Sequence, residues 1–188
     1  MCWSPWWPVS SAFLSAACIQ SRQSAAAAEK LQAREQYLFS NIRGIEAGKS
    51  FPDIPLWRPD GVATVQIRDL LPRGGLVIYT SGDCPSCIET VRALGEAIRS
   101  AGDQVPPAVI VLQGDPARIM EFVAKESINV AVVRDSQETL YRDYGLVTFP
   151  SYFPLDEGQI IRSFGPMQGT SDEFTGLLTQ WKHLSEGK

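Results

Sequence analysis

Apolar and polar positions change their rhythm several times along this chain, and each change marks an element. Ile54-Pro55-Leu56-Trp57 is a short extended run, and Arg58-Pro59-Asp60-Gly61 has turn chemistry. Val62 to Ile67 then alternates as a strand does, so residues 54–67 predict a β-hairpin. Asp69 to Gly75 reads as a loop. Leu76-Val77-Ile78-Tyr79-Thr80 is an unbroken apolar run of the kind found in a strand buried on both faces. Past Cys84-Pro85-Ser86-Cys87 the period lengthens. Ile88, Val91, Leu94 and Ile98 recur at helical spacing, and Ala101-Gly102-Asp103 ends the helix.

The alternation continues. Pro107–Leu112 predicts a second apolar strand. Asp115 and Pro116 supply an N-cap and a first helical residue for a helix running to about Glu126. Val130–Val133 predicts another strand, and Glu138–Tyr144 a short helix closed by Gly145. Tyr152–Leu155 and Gln159–Phe164 flank the turn Asp156-Glu157-Gly158 as a second hairpin. Thr170-x-x-Glu173 is a capping box opening the last helix. Helices interleaved with apolar strands predict an α/β fold: a central mixed β-sheet flanked by helices.

The first 47 residues have a different character. Met1 to Ile19 holds three Trp and two Pro in its first eight positions, then an apolar run from Ala12, with no Lys or Arg before Arg22. Ser15-Ala16-Ala17-Cys18 resembles a bacterial lipobox, and the Trp cluster suits a membrane interface. Residues 1–22 are therefore expected to be a signal or membrane-anchor segment. Ser24 to Arg43 is rich in strong helix formers, so residues 23–47 are expected to be a helical spacer, closed by Gly44 and Gly48. The globular domain is expected over 48–188. Cleavage or anchoring of the N-terminal segment leaves Cys2 and Cys18 outside the chemistry.

Composition narrows the function. Of 188 residues, 44% are apolar and 20% charged, and the net charge is −4, so a packed core is expected and a phosphate-neutralising basic stripe is not. Nucleic acid is not an expected partner. The single histidine, His183, sits at a predicted helix end where a polar or cationic side chain suits the dipole, which leaves little room for a Cys-His or Ser-His dyad. Two of the four cysteines lie in the N-terminal stretch and no second C-x-x-C accompanies Cys84 and Cys87, so neither a zinc site nor another cofactor is expected.

Cys84 and Cys87 lie where a buried strand hands over to a helix. There the helix dipole and free N–H groups favour a thiolate at the first Cys, and the second, one turn on, can resolve a mixed disulfide. Pro85 fixes φ in the first turn without wasting an N–H. The bland readings are a structural disulfide, half a zinc site or two buried thiols.

On these residues the chain resembles the thioredoxin superfamily. Leu76 to Leu94 is similar to its active-site region, and Val147-Thr148-Phe149-Pro150 to its cis-proline loop. The resemblance implies a thioredoxin-like fold, a cis Pro150, and Phe149 as the residue facing the C-x-x-C and pairing with substrate backbone. Gly48-x-x-Phe51-Pro52-Asp53, Asp60-Gly61 and Asp69-Leu70, with the N-terminal hairpin, resemble the TlpA/ResA-like branch, and MauD-like proteins are related. That branch implies thiol–disulfide exchange with protein disulfide or dithiol substrates on the extracytoplasmic or periplasmic side of a bacterial membrane. It also implies a membrane or periplasmic electron donor, membrane association through the N-terminus and, in many members, a part in cytochrome c maturation.

The chain departs from the superfamily pattern in three places. Asp83 replaces the usual Trp before the first Cys, and its carboxylate should oppose the Cys84 thiolate. Ile78 stands where thioredoxin has a buried Asp, which leaves Glu89 as the nearest acid; as a helix residue it reads more simply as solvated. The pair between the cysteines is Pro85-Ser86, which points to a reductant or an intermediate-potential carrier. Two other functions compete. A peroxiredoxin-like thiol peroxidase needs Pro-x-x-x-Thr/Ser-x-x-Cys, of which Ser81-x-x-Cys84 fits and Val77 does not. A non-catalytic binding module or chaperone would use apolar surface around Trp57, Phe149 and Tyr152.

Overall fold

The computed structural model describes residues 42–82, 84–102, 106–125, 127–167 and 169–186. The chain divides into residues 1–40 and 41–188, and only the second unit is described here. The expected signal or anchor segment and nearly all of the expected spacer helix therefore lie outside the described residues.

Seven strands form one sheet: β1 (Leu56–Trp57), β2 (Thr64–Val65), β3 (Gly75–Ser81), β4 (Ala108–Gln113), β5 (Ala131–Arg134), β6 (Ser151–Leu155) and β7 (Gly165–Pro166). Their spatial order is β2-β1-β5-β4-β3-β6-β7. The central strands β3, β4 and β5 run parallel, and β1, β2, β6 and β7 are added antiparallel at the flanks. The α/β expectation of a mixed sheet flanked by helices describes this architecture. The central runs are apolar at consecutive positions because both faces are covered.

The helices among the described residues are α1 (Ile67–Leu70), α2 (Pro85–Ala101), α3 (Ala117–Lys125), α4 (Thr139–Arg142) and α5 (Ser171–Glu186). On one face of the sheet, Ile78, Ile110 and Val132 pack with Val91 and Leu94 of α2, Ile119 of α3 and Phe174 of α5. On the other, Val77, Tyr79, Val111 and Val133 pack with Ile67 of α1, Leu140 of α4, and Ile45, Phe51 and Phe153. Alternation along β3 thus sends Ile78 toward α2 and Tyr79 away from it.

Three local expectations need correction. Ile67 opens α1 rather than ending a strand: Gln66 and Asp69 form a capping box, with the Gln66 N–H donating to Asp69 Oδ2 at 3.1 Å. The hairpin itself is present as β1 and β2, with Leu56 opposite Val65. Second, Gln159 to Phe164 do not form a full strand against β6. The hairpin is kept next to its turn, where the Asp156 N–H donates to the Ile160 carbonyl, the Arg162 N–H to the Pro154 carbonyl, and Leu155 bridges Ile161; on their other side residues 159–161 bond to Gly48, Lys49 and Phe51, and β7 takes the place beside Ser151 and Tyr152. Third, Ile42 and Arg43, the end of the expected spacer helix, are not helical; the Arg43 N–H donates to the Tyr144 carbonyl and Ile45 is buried in the second core. Sequence propensity favoured helix there, and tertiary burial of Ile45 overrides it.

No helix among the described residues is long and apolar enough to cross a membrane.

Candidate functional site

β3 is paired on both sides, with β4 and β6, and it delivers the chain to the site. Its ladder continues into Gly82, whose N–H donates to the Gln113 carbonyl at 3.2 Å. Gly82 passes so close to the backbone of Asp115 that a Cβ there would collide with the Asp115 carbonyl oxygen and lie 3.0 Å from its carbon. Only glycine fits that crossing. Asp115 is itself fixed, because its carboxylate accepts the Ala117 N–H at the start of α3 (2.9 Å). Asp83 lies outside the described residues.

Cys84 is the N-cap of α2 in extended conformation, and Pro85 occupies the first helical turn. The Cys87 N–H donates to the Cys84 carbonyl at 3.0 Å, which turns the second sulfur back beneath the first. Cys84 and Cys87 are joined in a disulfide with their Cα atoms 5.2 Å apart, inside the ordinary range for such a bridge. Cys84 is partly exposed, whereas Cys87 is fully buried. One sulfur of the pair can meet a partner and the other cannot.

Ser86 is exposed, and its Oγ lies 3.0 Å from Cys84 Sγ. Thr90, one turn further along α2 and fully buried, donates from Oγ1 to the Ser86 carbonyl at 2.9 Å. Glu89 points outward and pairs with Arg92, both side chains about half exposed. Arg92 in turn lies over the Phe122 ring, 5.5 Å from its centroid.

The Phe149–Pro150 peptide bond is cis. The Phe149 ring packs on Tyr79 at 4.9 Å, within the core opposite α2. Ser151 Oγ donates to the Thr148 carbonyl (2.7 Å) and the Met167 N–H to the Pro150 carbonyl (2.9 Å), so the loop is tied at both ends. Tyr152 packs instead against the α2-side core, so Phe149 and Tyr152 do not make one apolar surface.

The described buried acid of the domain is elsewhere. Ile78 is fully buried and apolar, and Asp135 is the acid that sequence reading missed. It follows β5, and its two carboxylate oxygens accept the Thr139 and Leu140 N–H groups at 2.9 and 2.8 Å, capping α4. Burial pushes its carboxyl above the usual carboxylate range against the pull of those two bonds. Burial also pushes the Tyr79 phenol well up, and the Asp135 charge adds to the effect. The signal for Asp135 was an acidic residue directly after an apolar strand and four residues before a helical Thr, a capping pattern that Glu138 obscured. Among the described residues no cluster of three or more His, Cys, Asp or Glu could hold a metal ion.

The geometry supports reversible sulfur chemistry: a partly exposed sulfur at a helix start, a buried sulfur in bonding reach, and a hydroxyl on the exposed one. Comparison with known proteins agrees in fold and family. A search of curated proteins finds no match. Among solved structures, a secreted Mycobacterium tuberculosis disulfide oxidoreductase homologous to Escherichia coli DsbE is similar at 16% identity and TM-score 0.54, over 68% of this chain and 96% of that one. The exposed lipoprotein thioredoxin Etrx1 of Streptococcus pneumoniae is similar at 18% identity and TM-score 0.53, over 69% and 99%. The peroxidoxin BcpB of M. tuberculosis is similar at 12% identity and TM-score 0.58, over 74% and 97%. These likenesses establish the thioredoxin-like fold. The AhpC/TSA family model matches residues 47–164, more than half of the chain. The chain therefore belongs to the AhpC/TSA family and is a thioredoxin-like oxidoreductase with a Cys84–Cys87 pair.

Proposed function

We propose that this protein exchanges disulfides with protein substrates through Cys84 and Cys87, working as a reductant or intermediate-potential carrier outside the cytoplasm. The observation that carries the reading is the asymmetry of the pair, with Cys84 reachable and Cys87 sealed beneath it. In the reduced protein the Cys84 thiolate attacks one sulfur of a substrate disulfide. That bond breaks, a mixed disulfide forms, and the released sulfur takes a proton from solvent. Cys87 then gives up its proton and attacks Cys84 Sγ. The Cys84–Cys87 bond closes, the second substrate thiol leaves, and two electrons have passed to the substrate. A thiol donor, membrane-bound or periplasmic, returns the pair to the dithiol.

Pro85 shapes the first turn without competing for a hydrogen bond, and Pro150 and Phe149 present the loop that receives substrate backbone. Asp83 weakens the thiolate and so holds the couple away from the strongly oxidising range. Glu89 is occupied with Arg92. Export or anchoring through residues 1–22 would place the domain where the secreted and lipoprotein neighbours act.

The test is insulin reduction by the full chain with a dithiol donor. Wild type should turn over and Cys84→Ser should not; equal rates would end the redox reading. A thiol-peroxidase reading is favoured by the family match and by Ser81-x-x-Cys84. Consumption of peroxide with the same donor, lost in Cys84→Ser, would select it over protein disulfide exchange.

A further inference from the structure

We propose that the Ser86 hydroxyl is the donor that stabilises the Cys84 thiolate, and that Thr90, close beside Gly169, positions Ser86 for that task. The proposal deepens the disulfide-exchange reading and rests on it. Ser86 Oγ and Cys84 Sγ are 3.0 Å apart. A sulfur in a disulfide carries no proton, so in this state the hydroxyl donates and the sulfur accepts. On reduction the same sulfur becomes an anion, a far better acceptor, and the contact becomes charge-assisted. The Cys84 side chain takes no capping N–H from the helix, and Pro85 has none to give. The hydroxyl therefore does at the sulfur what a backbone donor does at an ordinary N-cap. It also works against the carboxylate that the sequence places next to Cys84, at Asp83.

Ser86 is exposed, and whether its hydroxyl reaches Cys84 Sγ depends on where its backbone places Cβ. Thr90 holds it by donating to the Ser86 carbonyl at 2.9 Å from a fully buried position. Thr90 is closely neighboured in turn. A Cβ at Gly169 would lie 2.5 Å from Thr90 Oγ1 and 3.1 Å from its Cα, so the loop before α5 passes too near that residue for any side chain but glycine's. The loop is closed by the Glu173 carboxylate, which accepts the Gly169 N–H at 3.0 Å. The order is thus loop, Thr90, Ser86, Cys84.

The experiment follows iodoacetamide alkylation of the reduced full chain against pH, resolved at Cys84 by peptide mass spectrometry so that Cys2 and Cys18 do not contribute. Ser86→Ala should raise the midpoint by roughly half a unit to one unit, about three- to tenfold less thiolate at a given pH below it. Ser86→Thr keeps a hydroxyl and should stay within ~0.2 unit of wild type. Thr90→Val, close in shape but without the donor, should move in the same direction as Ser86→Ala by a smaller amount. A rise of less than about 0.3 unit in Ser86→Ala, or an equal rise in Ser86→Thr, would overturn the assignment to Ser86. An unmoved profile in a folded Thr90→Val would overturn the positioning role of Thr90. Alkylation needs no turnover, so the two readings fail separately. A protein that shows these shifts but never reduces insulin contradicts the functional reading alone. One that reduces insulin with an unmoved profile contradicts this inference alone.

Discussion

Gly82→Ala tests whether the path from β3 into the site is as tight as it looks. The added methyl would meet the Asp115 carbonyl oxygen well inside contact distance and its carbon at 3.0 Å. Both partners are backbone, so no side chain can swing aside. Carbon atoms rest at about 3.5–4.0 Å, and relieving the overlap requires the two segments to part by roughly 1 Å. Overpacking of this kind costs about 1–3 kcal/mol. The displacement falls two residues before Cys84, and a shift of ~1 Å at a reacting group can lower a rate by roughly 10²-fold. Gly176→Ala is the control, because that glycine lies in α5 with open space where a Cβ would stand. There the substitution should stabilise by about 0.5–1 kcal/mol through helix propensity alone. Urea unfolding gives the stabilities and insulin reduction the rates. If Gly82→Ala matches wild type in both, the crossing with Asp115 does not set the position of Cys84.

Two further outcomes follow from acids near the fold's working parts. Burial holds the Asp135 carboxyl above its ordinary value in the folded state, so the folded protein binds that proton more tightly than the unfolded chain. Its contribution to stability is present at low pH and lost as pH rises through the raised value. Wild type should therefore lose stability relative to Asp135→Asn between acidic pH and neutrality, by chemical denaturation at each pH; a wild type that gains stability relative to Asp135→Asn as pH rises would contradict the desolvation argument. Glu89→Gln should leave insulin reduction within about twofold of wild type, since the exposed Glu89–Arg92 pair is worth at most ~1 kcal/mol and lies off the sulfur path. A tenfold loss would show that Glu89 carries a proton after all.

Much of the fold is legible in the chain because its strongest signals are local. Leu76 to Thr80 could be read as a buried strand, since a strand covered on both faces must be apolar at every position, and Ile88, Val91, Leu94 and Ile98 could be read as a helix from their spacing. Asp115-Pro116 marked a helix start for the same reason. What could not be read depends on distant partners. Ile67 alternates as a strand would, yet Asp69 caps it into α1. Gln159 to Phe164 has strand composition, yet it pairs with the β6 arm only near the turn, and β7 takes the place beside Ser151 and Tyr152. Ile42 to Ile45 has helix-forming surroundings, yet Ile45 is drawn into the core. At the site, the two sulfurs were legible from their spacing, whereas the burial difference between them depends on packing that no spacing encodes. Thr90 looked like an ordinary helix residue, and its bond to the Ser86 carbonyl becomes meaningful only with Gly169 close beside it. Asp135 was hidden because the short helix is read from Glu138 on, and Asp135, three residues earlier, reaches the N–H groups of Thr139 and Leu140 only through the turn between them.

The central claim is that Cys84 attacks and Cys87 resolves. Reduced Cys87→Ser and reduced Cys84→Ser, each as the full chain, can be mixed with a disulfide-bonded peptide, quenched with acid and mapped by mass spectrometry. Cys87→Ser should accumulate a stable mixed disulfide at Cys84, while Cys84→Ser should form an adduct at Cys87 at least about tenfold more slowly, because that sulfur is sealed from solvent. Equal rates of capture at the two positions, or none at Cys84, would contradict it.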